Sequence, residues 1–220
     1  MNAIDVGQIH YGPQMMKRLA RLAVLVFTFM GGPALAVEEP PYTVEIQAGP
    51  IQVRDYPALI AAETTVSGER GAAGAAGFRL LAGYIFGGNS RKQSIAMTAP
   101  VVQGRGQGMT IPMTAPVTQG GGPGGWVVRF IMPRGSTLAS LPTPNDSRVH
   151  LRPLPPSRIA VARFSGLAGD NDIRRETATL EAFLAEYHLR VAGRASLARY
   201  DPPWTPWFMR RNEIWIPLLP

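Results

Sequence analysis

Apolar and polar residues alternate in several short runs after residue 40. Tyr42–Gln47 places apolar side chains at every second position, the spacing of a strand with one face turned inward; Ile51–Tyr56 reads as a second strand and Ala58–Val66, rich in Ala, Thr and Val, as a third. Gly49-Pro50 marks the turn between the first two. Phe78, Leu81, Ala82 and Ile85 then fall at helical spacing, and Gly87-Gly88-Asn89 supplies a C-terminal stop. The preceding Glu69–Gly77 is rich in glycine and alanine, and the helical period appears from Phe78. Trp126–Met132 is a further strand that stops at Pro133. A second helix is expected from about Asp172 to His188, with Ile173, Leu180, Phe183, Leu184 and Tyr187 as its inward stripe and Asp170 or Asn171 as cap.

Two repetitions stand out. MTAPV occurs at Met97–Val101 and again at Met113–Val117, on either side of a glycine-rich stretch. In each copy Ile, Met, Ala and Val share one parity, which predicts two antiparallel hairpin strands with a common packing face. Pro100, Pro112 and Pro116 make those strands irregular. The longer repetition aligns Ile51–Gly68 with Val149–Gly166 at a gapless offset of 98 residues. Arg54 then meets Arg152, Pro57 meets Pro155, and Ser67-Gly68 meets Ser165-Gly166. A helix follows each copy. The expectation is an α+β domain: a distorted antiparallel β-barrel of two pseudo-symmetric halves with two helices.

The N-terminus carries a different pattern. Lys17, Arg18 and Arg21 precede the short apolar run Leu22–Met30, and Ala34-Leu35-Ala36 has the form of a cleavage site. Residues 1–36 read as a Sec-type signal peptide, with Met15 or Met16 as the candidate start and 1–14 upstream of it. Residues 37–220 then form a single domain, periplasmic or secreted, with no stable membrane anchor after cleavage. The chain has a net charge of +7, and after residue 36 every basic residue but Lys92 is arginine. The arginines are scattered, which argues against nucleic acid and leaves solvated faces or an anionic ligand as readings. The absence of cysteine excludes disulfides and thiolate chemistry.

Taken together, GFRLLAGYIFGGN, IAMTAPV, WVVRFIMP, PNDSRV and YDPPWTPWFMRRNEIWIPL resemble the SOUL haem-binding family from Tyr42 to about Pro217. The resemblance implies haem or a free porphyrin as ligand, held in a shallow apolar groove along the first helix. Phe78, Arg79, Leu81, Ala82 and Ile85 would form one wall, and Trp204, Thr205, Trp207 and Arg210 the opposing lip. Where haem-binding relatives carry basic residues near the groove, this chain has Ala75, Gly83 and Thr205. Axial candidates are His150, His188 and Met97. Parity turns His150 outward, His188 sits at a helix end, and Met97 reads first as packing. Three functions stay open: a monomeric tetrapyrrole carrier or scavenger without a catalytic group, a hydrolase or haem-modifying enzyme using the same groove, and an interaction domain without a ligand.

The cleavage motif makes one direct prediction. Intact-mass measurement of the exported protein should give a chain that starts at Val37. A cytoplasmic protein that keeps Lys17–Ala36 would contradict it.

Overall fold

A computed structural model describes residues 38–105, 125–202 and 204–220. The elements in chain order are β1 (Thr43–Ala48), β2 (Ile51–Tyr56), β3 (Leu59–Val66), α1 (Arg70–Ile85), β4 (Val101–Arg105), β5 (Trp126–Ile131), β6 (His150–Leu154), β7 (Ser157–Ser165), α2 (Asp170–Glu186), β8 (Ser196–Arg199) and β9 (Arg211–Leu218). A short 3-10 turn at Trp207–Met209 precedes β9.

All nine strands form one curled sheet in the order β1-β2-β7-β9-β8-β4-β5-β3-β6, and every ladder is antiparallel. Leaving out β1, this order reads the same from either end when β2 exchanges with β6, β3 with β7, β4 with β8 and β5 with β9. The registers obey the same exchange. Arg54 faces Ile159, and Arg152 faces Ala61. Moving each residue by the offset of 98 found in the sequence carries one pair onto the other. Gly68 and Gly166, aligned by that offset, both hold positive φ, 107° and 117°, a backbone region that favours glycine. The β4–β8 ladder lies at the centre of this two-fold arrangement.

Strand parity places the core on both faces of the sheet. Ala160 and Ala162 of β7 join Leu180, Phe183 and Leu184 of α2. Ile159 and Val161 point the other way, into an inner cluster with Tyr56, Val102, Ala198 and Trp215. On the first half, Leu81, Tyr84 and Ile85 of α1 pack on Ala62, Val128 and Phe130. The helices therefore cover the outside of the curl, and the inner face closes on itself.

Three expectations change. The first helix begins at Arg70 rather than near Phe78, so the glycine-rich stretch is helical. Its glycines allow close approach: a Cβ on Gly77 would lie 2.5 Å from Val128 Cγ2. The segment Ile95–Pro100 is not a regular strand, because Pro100 lacks a donor and Thr98 turns its hydroxyl onto the Ile131 carbonyl. The regular ladder starts at Val101, and β4 is flanked by β5 and β8. The second MTAPV lies outside the described residues. Finally, α2 runs Asp170–Glu186 with Gly169 at the N-cap position, and the Asp172 carboxylate accepts the Gly169 N–H at 3.3 Å. Its stripe is as expected at Leu180, Phe183 and Leu184, while Tyr187 is exposed and stacks on Phe183.

Gly77 supplies a stability test. Gly77→Ala should destabilise the protein by about 1–2 kcal/mol, because the overpacking penalty exceeds the gain in helix propensity. In a Val128→Ala background the same change should become neutral or stabilising. Chemical denaturation of the four proteins measures the sign reversal.

Candidate functional site

The inner face of the sheet is filled by its own side chains. Glu213 on β9 is 0% exposed and accepts hydrogen bonds from four side chains. Arg54 of β2 grips it with two contacts of 3.0 Å. Arg211 donates to Oε1 at 2.7 and 3.1 Å, Tyr200 to Oε2 at 2.6 Å and Trp215 to Oε2 at 2.8 Å. Arg54 also lies over the Tyr42 ring at 4.3 Å, and Arg211 over Tyr200 at 3.7 Å. Burial alone would raise the Glu213 pKa. The charged hydrogen bonds from Arg54, with those of Tyr200 and Trp215, outweigh it and hold the carboxyl below its ordinary range. Burial and the adjacent Glu213 charge push the Tyr200 phenol up, so it stays a donor.

The remaining hollow, lined by Tyr56, Leu59, Val102, Leu154, Ile159 and Trp215, measures about 20 Å³. That is room for about one water, not for a macrocycle. Among the described residues this hollow leaves no space for a large ligand.

Two outer surfaces come into question. The first is the pair of segments that the sequence assigns to the groove, the exposed side of α1 and the loop before β9, and no described contact joins them. Phe78 is 38% exposed while its ring edge rests on Phe130 at 5.3 Å. Ala82 is half-buried and Arg79 exposed. Leu81 and Ile85 of the same stripe are buried in the core, so they are not surface lining in this structure. On the loop, Trp204 and Trp207 are 84% and 59% exposed. Thr205 is half-buried; its carbonyl accepts Arg210 Nε at 2.8 Å, which closes the loop on itself.

The second surface is an open groove of about 390 Å³ between the segment before β6 and β6 itself, lined by Leu138, Leu141, Pro144, Val149, His150 and Arg152 among others. This volume is in the range of small-molecule sites. His150 is exposed, as parity predicts. His188 sits one residue beyond the C-cap Tyr187 with φ of 53°, and its N–H bonds the Ala185 carbonyl at 3.2 Å, so its role there is to end α2. Met97 is partly exposed in the irregular segment before β4. Tyr84 is buried and donates to the Pro142 carbonyl at 2.9 Å.

Sequence reasoning missed Arg70 and Arg199. Arg199 Nη1 donates to Gln103 Oε1 at 3.4 Å, and Gln103 Nε2 donates to the Arg70 carbonyl at 2.7 Å. Burial, reinforced by the positive charges of Arg70 and Arg210, lowers the Arg199 pKa. Placing the start of α1 after Ser67-Gly68 would have set Arg70 at its head.

The sequence pattern of the family described as SOUL heme-binding protein matches residues 37–217. No curated protein sequence matches. Among solved structures, the crystal structure of the EcmrR C-terminal domain is similar with a TM-score of 0.53 and 10% identity, covering 81% of this chain and 98% of that one. The EcmrR chain in an EcmrR–DNA complex gives 0.53 and 10%, covering 93% and 66%. A protein described as a hydrolase from Listeria innocua gives 0.52 and 11%, covering 80% and 94%. At these identities the likeness concerns the fold alone.

The Glu213 network predicts an acid-sensitive fold. Because its folded pKa lies below the ordinary 4.5, the group stabilises the protein fully above that value. That contribution is lost as pH falls through the folded value. Glu213→Gln should cost about 3 kcal/mol at neutral pH, since it leaves Arg54 buried and uncompensated. Its stability should also vary less with pH than that of the parent below 4.5. Urea unfolding across the acid range measures both.

Proposed function

This chain belongs to the SOUL heme-binding protein family, and we propose on that premise that it is an exported tetrapyrrole carrier with no catalytic group of its own. The observation that carries this reading is the division between a filled interior and an outer surface rich in unsatisfied aromatic area. Phe78 and Ala82 of α1, with Trp204 and Trp207 of the loop, form the two sides of the ligand surface. Prolines at 202 and 206 restrict the loop, so its rings lose little freedom on binding a flat molecule. Arg79 and Arg210 meet the ligand carboxylates. The residues fit a macrocycle and its acid groups. They do not include a histidine, so the iron gains no protein bond there. Export rests on the segment before residue 37, and the working form is a monomer.

A second reading places the ligand in the 390 Å³ groove, because His150 lines it and is free to face an iron. An enzyme acting through either surface is the remaining alternative, and turnover of bound haem would identify it.

Apolar contact at about 25 cal/mol per Å² supports micromolar binding of a flat macrocycle after association costs. Metal-free protoporphyrin should therefore bind within about tenfold of haemin, a gap of roughly 1.4 kcal/mol. Ala82→Glu should weaken both with little loss of stability. His150→Ala and His188→Ala should leave the Soret band unchanged. A strong preference for haemin that disappears in His150→Ala would move the site to the groove. No binding of either compound would remove the carrier reading.

A further inference from the structure

The two halves of the sheet differ at its edges. In the first half β1 covers the outer edge of β2, and its Ile46 and Ala48 pack on the α2 cluster. The offset of 98 puts β6 in the place of β2, yet among the described residues β6 pairs with β3 alone. Carried back along the chain, the same offset makes Leu141–Asp146 the counterpart of Thr43–Ala48. The turn itself is kept. Ala48 pairs with Ile51, and at the equivalent positions the Val149 N–H bonds the Asp146 carbonyl at 3.0 Å. Ahead of the turn the segment leaves its strand. Pro142 and Pro144 stand where β1 has Val44 and Ile46, and neither can donate to a ladder. The loop after α1 holds the segment instead: Asn145 N–H bonds the Gly88 carbonyl at 3.0 Å, and Ser90 N–H bonds that of Thr143 at 2.9 Å. The groove of about 390 Å³ is the opening between the limbs of this splayed hairpin, since its lining runs from Leu138 to Arg152.

The bare edge has a definite hydrogen-bonding pattern. The Ile60 carbonyl accepts the Met132 N–H at 2.8 Å, so Ile60 turns toward β5. Alternation then turns Ala61 toward β6, where it faces Arg152. Leu151 and Pro153 therefore hold their backbone groups outward. They offer the Leu151 N–H and two carbonyls. Side chains grade the edge further. Leu151 and Leu141 pack on the α1 cluster, and Leu138 is 50% exposed. On the opposite parity His150 is exposed and Arg152 is 59% exposed. Among the described residues Arg152 meets Glu63 through Nε alone, at 3.3 Å, which leaves its two Nη groups to an outside acceptor. The occupant must be extended, with main-chain donors and acceptors, an apolar side chain for Leu151 and a carboxylate for Arg152. A second copy of β6 paired about Leu151 would set His150 against Arg152 and would lack the donor that Pro153 removes.

We propose that this edge takes an extended, acidic segment of another protein, which adds beside β6 as β1 adds beside β2. Main-chain bonds supply the affinity, and alternate side chains supply the choice of partner. An apolar side chain enters the groove opposite Leu151, in the place that Ile46 holds opposite Val53. A carboxylate faces Arg152, in the place that Val44 holds opposite Arg54. The contact needs no tetrapyrrole and uses neither α1 nor the loop before β9, so it stands or falls separately from the carrier reading.

The probes are capped peptides of the sequence Tyr42–Gly49 carrying V44E or V44K, because β1 is the strand that fits the equivalent edge. Titration of the ligand-free protein, followed by amide NMR, should give a Kd of about 1 mM or tighter for the V44E peptide. The Leu151 N–H should shift and become protected from exchange. The V44K peptide should bind about fivefold more weakly. In Arg152→Glu that order should reverse, and the fold survives the change because Arg152 is largely exposed. Methylating the peptide nitrogen at Ile46 should weaken binding about tenfold, since a main-chain bond is lost. No shift at Leu151 with either probe up to about 1 mM overturns the proposal. So does binding that both N-methylation and Arg152→Glu leave unchanged, because unspecific apolar contact would then account for it. Sedimentation velocity supplies the last check: a dimer that the V44E peptide dissociates would assign the edge to a second copy and likewise overturn the proposal.

Discussion

The carboxylate of Glu213 determines what the inside of this sheet can be used for. It ties β9 to β2 across the intervening β7, because the Arg54 fork reaches it from two strands away. Arg211 extends the tie to Glu39 at 2.8 Å, which fastens the segment ahead of β1. Taking such charges from water is expensive, and an apolar filling of equal volume is often as stable. Once present, however, each partner depends on the others. Glu213 alone would be protonated or would draw water inward. With both arginines, Tyr200 and Trp215 in place it stays charged and the interior stays closed. The described inner face therefore serves architecture.

The two-fold arrangement shows how this closure is specific to one half. Arg152 occupies the position equivalent to Arg54, yet it lies on the edge strand β6 and meets Glu63 at 3.3 Å while largely exposed. The equivalent strands of the two halves keep backbone register and apolar parity. They differ in what they do with the same arginine. Register is enforced by burial on both faces, since a slip by one residue would exchange Ile159 and Val161 with Ala160 and Ala162. A charge at the sheet edge has no such constraint.

Much of the fold was legible because period and parity report directly on which side of an element is buried. The strands Ile51–Tyr56 and Trp126–Ile131 and the stripe of α2 needed nothing more. The first turns of α1 were not legible, because glycine scores against helix and its value here lies in contact with Val128, far along the chain. The MTAPV parity misled for a related reason: a backbone that proline keeps out of the ladder can still show alternation. The pairing of Arg54 with Glu213 was not legible, since the two are separated by 159 positions. At the candidate site, sequence grouped Leu81 and Ile85 with Phe78 and Ala82. Period cannot separate the buried centre of an apolar stripe from its exposed margin.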